Sequence, residues 1–177
     1  MPTRRAGARR RGPPRFIVDT MLGDLARWLR ILGYDTHYSS RLEDWEILRI
    51  AEEEGRVIVT MDKGLYSRAR RRGLRAVLIT TFHTPERLAE LSLRVPIRLE
   101  ADPSRSRCPE CNSPLVRVTD KSRLRGRVPP RALEAYDEFY VCPRCGRVYW
   151  IGSHWRNIRR VLEEARELRE KIRRGEA

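Results

Sequence analysis

The sequence predicts an α/β fold: a three-layer domain with a mostly parallel central sheet, then a small cysteine-rich module and a C-terminal amphipathic helix. Three observations predict it. Between residues 16 and 103, short apolar runs alternate with segments of helical periodicity, joined by loops of a few residues. The runs, such as Val57–Ile58–Val59, are continuous rather than alternating, as expected of strands covered on both faces. From Arg105 onward, Pro, Arg and Cys replace that pattern.

The elements follow in order. Arg15–Thr20 reads as a buried strand, and Leu22, Leu25, Ala26, Leu29 and Leu32 repeat at helical spacing until Gly33. Thr36–Tyr38 is a weak second strand. Asp44 is placed to cap a helix with Ile47, Leu48 and Ala51 inward, closed by Gly55. Arg56–Thr60 is the third strand, Lys63–Arg72 a helix stopped by Gly73, and Leu74–Thr80 the fourth strand. Thr84 caps the next helix, with Pro85 in its first turn, and Val95–Leu99 is a final strand. In the second module, Leu115–Thr119 and Phe139–Val141 are short strands. Trp155–Arg174 is amphipathic, with Ile158, Val161, Leu162, Ala165, Leu168 and Ile172 on one face.

Length and charge bound the function. A chain of 177 residues holds one domain of ordinary size plus something small. Its net charge is +14, and Lys63, Lys121 and Lys171 are the only lysines among 38 cations. The body from 16 to 103 is balanced, with 14 cations and 14 anions. The excess lies in residues 1–15, with six Arg and no acid, in 104–151, with 10 cations against 5 anions, and in 152–174, with 8 against 4. The divisions expected are a basic, disordered tail over 1–14, an α/β domain over 15–103, a cysteine module with a basic insert over 104–151, and a C-terminal helix over 152–177. Arg-rich flanks suit phosphate contact. No apolar run approaches the roughly 20 residues of a membrane span. The basic N-terminus has no apolar segment behind it, so it is not a secretory signal, and a cytoplasmic location is expected.

Cys108-Pro-Glu-Cys111 and Cys142-Pro-Arg-Cys145 hold all four cysteines of the chain. Two such knuckles turn four thiolates to one point, the pattern of a zinc ribbon with one closed, structural zinc. Two disulfides or two redox pairs are the alternatives, and no export signal supports an oxidising compartment. The insert between the knuckles reads as a basic loop over Lys121–Arg131, and its Lys121, Arg123, Arg125 and Arg127 are candidates for RNA contact.

Acids collect at strand-to-helix junctions: Asp19 after the first strand, Asp44 at the second helix, Asp62 after the third strand. Each alone is an ordinary helix cap. In a parallel sheet, however, all strand carboxyl ends lie on one edge, where ligands bind at the topological switch. Carboxylates brought together there repel, and a divalent cation relieves the repulsion; oxygen-only donors favour Mg or Mn. Asp24 and Glu46, one turn into their helices, are further candidates. Arg27 and Arg30, placed off the apolar stripe of the first helix, are candidates for phosphate contact. Trp28, Trp150 and Trp155 offer rings for base stacking, with packing the expected role of Trp150.

These residues carry a resemblance. Phe16 through Gly23, Leu25 through Arg30, Leu32 through Asp35, Asp44 through Ala51, Glu54 through Thr60 and Asp62 resemble a PIN-like ribonuclease domain. The branch is the one fused to a zinc ribbon and found at the C-terminus of the Mut-seven exonuclease. Cys108 through Asn112, Val128-Pro129, Phe139 through Cys145 and Val148 through His154 match its ribbon. The resemblance implies a PIN-like fold, a metal-dependent ribonuclease, and Asp19, Asp44 and Asp62 as acidic ligands of the catalytic metal. A fourth acid is common in that pattern; Lys63 follows Asp62 here, and Asp24 or Glu46 are the candidates for it. Many PIN-like domains pair, so a homodimer is a further expectation. The expected partner is RNA. Two other functions fit the same residues: an inactive RNA- or ribosome-binding module, and a zinc-ribbon protein of transcription.

Overall fold

The computed structural model describes residues 12–176; most of the basic tail expected over 1–14 lies outside the described residues. Four short strands, β1 (Phe16–Val18), β2 (Thr36–His37), β3 (Val57–Thr60) and β4 (Ala76–Leu78), form a wholly parallel sheet in the order β2-β1-β3-β4. Helices α1 (Gly23–Ile31), α2 (Asp44–Glu54) and α3 (Lys63–Arg71) connect them, and α4 (Thr84–Arg94) follows β4. The chain leaves β1 for β2 on one side and crosses back to β3 on the other. The switch in direction therefore lies between β1 and β3.

Pleating divides the strand residues between two cores. Phe16, Val18, Val57, Val59 and Val77 face α1 and α4, while Ile17 and Ile58 face Ile47, Leu48 and Ala51 of α2 and Leu65 and Ala69 of α3. Each of these residues is buried to 4% exposure or less, as three layers require. The fold class read from the sequence is the one observed.

Val95–Leu99 forms no strand. The alternation is real, since Val95, Ile97 and Leu99 are buried while Pro96 and Arg98 are exposed. Pro96 has no N–H to give a neighbouring strand, Ile97 N donates to Val95 O at 2.8 Å, and Arg98 N donates to the Tyr34 hydroxyl at 2.7 Å. The segment packs without pairing. Two caps also shift by one residue: Glu43 precedes α2 and Asp44 is its first helical residue, and His83 rather than Thr84 precedes α4.

The second module is an antiparallel sheet of β5 (Val116–Val118), β6 (Phe139–Val141) and β7 (Val148–Tyr149), in that order. Its insert is not a plain loop. Lys121–Leu124 makes a 3₁₀ turn and Pro130–Ala135 a short helix, α5, because Leu124, Val128 and Ala132 close a small core on Phe139. The last helix, α6 (Ser153–Arg173), returns to the α/β body, burying Val161, Leu162 and Ala165 in the first core beside α4. Among the described residues no helix is long and apolar enough to cross a membrane.

The ribbon docks at the amino end of the sheet. Arg107 N donates to Arg30 O at 2.8 Å, and the Ser106 hydroxyl donates to Ile31 O at 2.5 Å. Thr36 N, entering β2, donates to Asn112 Oδ1 at 3.0 Å, and Asn112 Nδ2 donates to Asp35 Oδ1 at 2.8 Å. Gly33 is required there: its φ is +93°, and a Cβ would lie 2.7 Å from Arg105 O.

Candidate metal centres and the acidic sheet edge

The four cysteines converge. Cys108 Sγ lies 3.6 Å from Cys145 Sγ, Cys111 Sγ lies 3.4 Å from Cys142 Sγ, and all four fall within 4.8 Å of one another. Zn–S bonds near 2.3 Å set tetrahedral S···S edges of about 3.8 Å, so the spacing fits a metal of that kind. All four are free thiols, with no disulfide among them. Each knuckle is made by local backbone. Asn112 N donates to Cys108 O at 2.9 Å, and Gly146 N donates to Cys142 O at 2.9 Å. Both residues are left-handed, with φ of 67° and 77°. Gly is the residue expected at such a turn. In the first knuckle Asn takes its place, because its side chain is the one that grips Asp35 and Thr36. The thiols differ in acidity: burial pushes Cys111 up to about 12, while the backbone N–H of Arg147 draws Cys145 down to about 6.

The acids lie at the opposite end. Asp19 continues β1, its N–H donating to Val59 O at 2.9 Å, and it is only 6% exposed. Its Oδ1 accepts from Thr20 N at 2.7 Å, and its Oδ2 accepts from the Thr60 hydroxyl at 2.7 Å. That hydroxyl oxygen in turn accepts from Asp62 N at 2.9 Å. Asp62 caps α3, its Oδ1 accepting from Leu65 N at 2.8 Å. A short polar chain therefore joins the ends of the adjacent strands β1 and β3, at the topological switch.

Asp44, at the start of α2, is ion-paired with Arg68 of α3. Among the described residues, Asp19, Asp44 and Asp62 do not form a set with ligand atoms within 4.8 Å of one another; the four cysteines do. The two further acids are engaged. Asp24 takes Arg87 Nη1 on both oxygens at 3.0 and 2.9 Å, and Glu46 reaches back to accept from Glu43 N at 2.9 Å.

The expected RNA contacts divide. Arg30 is corrected: it is 5% exposed, donating from Nε to Thr36 O at 3.0 Å and from Nη1 to Pro109 O at 2.9 Å. Three carbonyl acceptors in a buried joint hold it, counting Glu110 O at 3.3 Å, so it ties the body to the ribbon. Arg27 is exposed and paired with Glu110 at 2.6 Å. Lys121 is paired with Asp137 at 3.0 Å, Arg127 donates to Gly146 O at 2.6 Å, and Arg123 and Arg125 are exposed. All four belong to the ribbon, which docks at the end of the sheet away from the acids.

Residues 14–162 match the model of the Mut7-C RNAse domain. The chain belongs to the Mut7-C RNAse domain family. None of the curated proteins and none of the solved structures compared matches the chain. The matched residues take in the α/β body, the four-cysteine ribbon and the first part of α6.

Two features escaped the sequence reading. Glu90, 7% exposed on α4, accepts from Thr80 N at 3.0 Å and from the Thr80 and Thr81 hydroxyls at 2.9 and 3.0 Å. Burial raises its pKa, but these bonds prevail and hold the carboxyl below its ordinary value, so it pins the loop after β4 as an anion. The exposed aromatic rings are also not those expected. Trp150 packs on Phe139, Trp155 is 9% exposed, and Trp28 leans on the first core. Trp45 and Phe82 are instead 57% and 72% exposed. Trp45 is the second residue of its helix and Phe82 lies in a loop, each between two polar neighbours, so neither carries a periodic signal.

Proposed function

We propose that the chain is a ribonuclease that hydrolyses RNA phosphodiester bonds at the acidic sheet edge, with zinc held structurally by Cys108, Cys111, Cys142 and Cys145. The observation that supports it most is the placement of Asp19 and Asp62 at the ends of adjacent strands, on the switch between β1 and β3, in a chain of an RNase-domain family. An oxygen-only donor set there fits Mg or Mn, with Asp19 and Asp62 as ligands and Asp44 as the third. When bound, such an ion supplies polarisation of the phosphate, activation of water and stabilisation of the leaving oxygen.

The protein's own part is positioning. Thr20 and Thr60 hold both oxygens of Asp19, so its carboxylate cannot swing when a polyanion approaches. Asp62 is fixed by its cap, and the exposed Lys63 beside it offers a cation to the phosphate. Asp44, now paired with Arg68, would be the third residue to hold the metal. The ribbon and its insert, with exposed Arg123 and Arg125, add phosphate contacts remote from the bond that is cut.

The Asp44–Arg68 pair favours a second reading, an RNA- or ribosome-binding module in which the acidic edge is satisfied without metal. Incubation of single-stranded RNA with zinc-loaded protein, with Mg²⁺, with Mn²⁺ or with neither, decides between them. The ribonuclease reading expects cleavage with the metals, none without them, and loss in Asp62→Asn. Intact RNA under every condition, still bound by the protein, supports the binding module.

A further inference from the structure

We infer that Trp45 and Phe82 are base-stacking residues that receive a single RNA strand laid across the acidic edge, one ring on each side of the carboxylates. This rests on the ribonuclease reading above and names how its substrate is held. Among the described residues, Phe82, Met21 and Trp45 are the three most exposed large apolar side chains, at 72%, 68% and 57%. All three lie at the carboxyl edge: Met21 after β1, Trp45 at the start of α2 after β2, and Phe82 in the loop between β4 and α4. Scattered exposed apolar residues need no explanation, but convergence on the edge that carries Asp19 and Asp62 does.

The helices set their placement. Trp45 is at the head of α2, which packs on β1 and β3 from one face of the sheet, and Phe82 precedes α4, which packs with α1 on the other face. The carboxyl ends of β1 and β3, which lead into Asp19 and Asp62, lie between those two faces, where a strand passing from ring to ring presents its backbone.

The Trp45 ring is held in place, and the loop that carries Phe82 is clamped beside it in sequence. The Trp45 indole N–H donates to Glu43 Oε2 at 2.7 Å, and the Arg49 guanidinium lies 6.0 Å from the ring centroid. Phe82 follows Thr80 and Thr81, which Glu90 clamps, and Arg87 Nε donates to Thr81 O at 3.2 Å. A held ring and a clamped loop lose less freedom on stacking than mobile ones would. Stacking accepts any base, so this grip is not sequence-specific.

The test uses the full chain, and both rings are exposed enough for substitution to leave the fold intact. In an Asp19→Asn background, which binds without cutting, Trp45→Ala and Phe82→Ala are each expected to raise the Kd for a ten-nucleotide single-stranded RNA about fivefold or more. Trp45→Phe is expected to restore most of the loss. RNA is also expected to quench tryptophan fluorescence less in Trp45→Phe than in its parent. In the active chain, KM rises while kcat changes little. An unchanged Kd in the double alanine variant overturns the inference, as does a chain that self-associates in sedimentation until both rings are removed while its RNA affinity stays constant. If RNA is bound through both rings but is never cut with Mg²⁺ or Mn²⁺, stacking stands and the ribonuclease reading falls.

Discussion

The thiols of the ribbon and the carboxylates of the sheet edge are both candidate metal sites, and they are built in opposite ways. The four sulfurs come in pairs from two tight turns, and those turns set them within 4.8 Å of one another. The three carboxylates come from three separate junctions of one sheet, and each is satisfied by protein: Asp19 by Thr60 and Thr20, Asp62 by its own helix, Asp44 by Arg68. A closed sulfur site serves to hold structure, whereas a site whose ligands have substitute partners survives without its metal and takes it up in use. The first site is therefore expected to carry folding energy and the second chemistry.

Removing zinc is the strongest way to break this contrast. Structural zinc contributes on the order of 10 kcal/mol in comparable small modules. Cys108→Ser or a zinc chelator is expected to unfold residues 105–150, with loss of amide-exchange protection there. The carboxyl edge, anchored in the α/β core, should keep much of its protection; equal loss in both regions would show one cooperative unit. Next in size, Asp19→Asn and Asp62→Asn are expected to lower kcat by about 100-fold or more while leaving zinc content at about one per chain.

The joint between the modules sharpens the contrast at the level of a few kcal/mol. Asp35 accepts from Arg56 at 2.9 Å, Asn112 at 2.8 Å and Arg15 at 3.1 Å. Burial raises its pKa, yet these bonds outweigh burial and hold the carboxyl well below the usual range. A depressed folded pKa means that the stabilisation is complete above the unfolded value near 3.9 and is lost as pH falls below it. Asp35→Asn is expected to cost about 2–3 kcal/mol in denaturant unfolding at pH 7, and to flatten the loss of stability below about pH 4. The smallest effect is at Arg68: Arg68→Gln frees Asp44 and is expected to tighten Mn²⁺ binding by a few-fold, read by titration calorimetry. Weaker binding would show that Arg68 supports the donor set rather than competing for it.

How much was legible in the sequence follows the same division. The knuckles are local, so their spacing alone exposes them. β1, β3 and their helices are continuous apolar or periodic stretches, and the three-layer fold follows from them. What depends on partners distant in sequence was harder to read. Val95–Leu99 alternates like a strand but has nothing to pair with. Arg30 looks like a surface cation until the ribbon, nearly 80 residues on, supplies its carbonyl acceptors. The insert hid Leu124, Val128 and Ala132 among arginines, and their packing appears only once Phe139 is placed beside them. The acids could be assigned to an edge but not to their bonds, because Thr60 and Arg68 are ordinary residues in sequence. Trp45 and Phe82 gain meaning only from the layers that set α2 and α4 on opposite faces of β1 and β3.

The most direct measurement is a Mn²⁺ titration followed by electron paramagnetic resonance on zinc-loaded protein. A saturable site is expected in the wild type and its loss in both Asp19→Asn and Asp62→Asn, with zinc unchanged in all three. Mn²⁺ bound equally by the wild type and both variants contradicts a catalytic metal at the junction of β1 and β3.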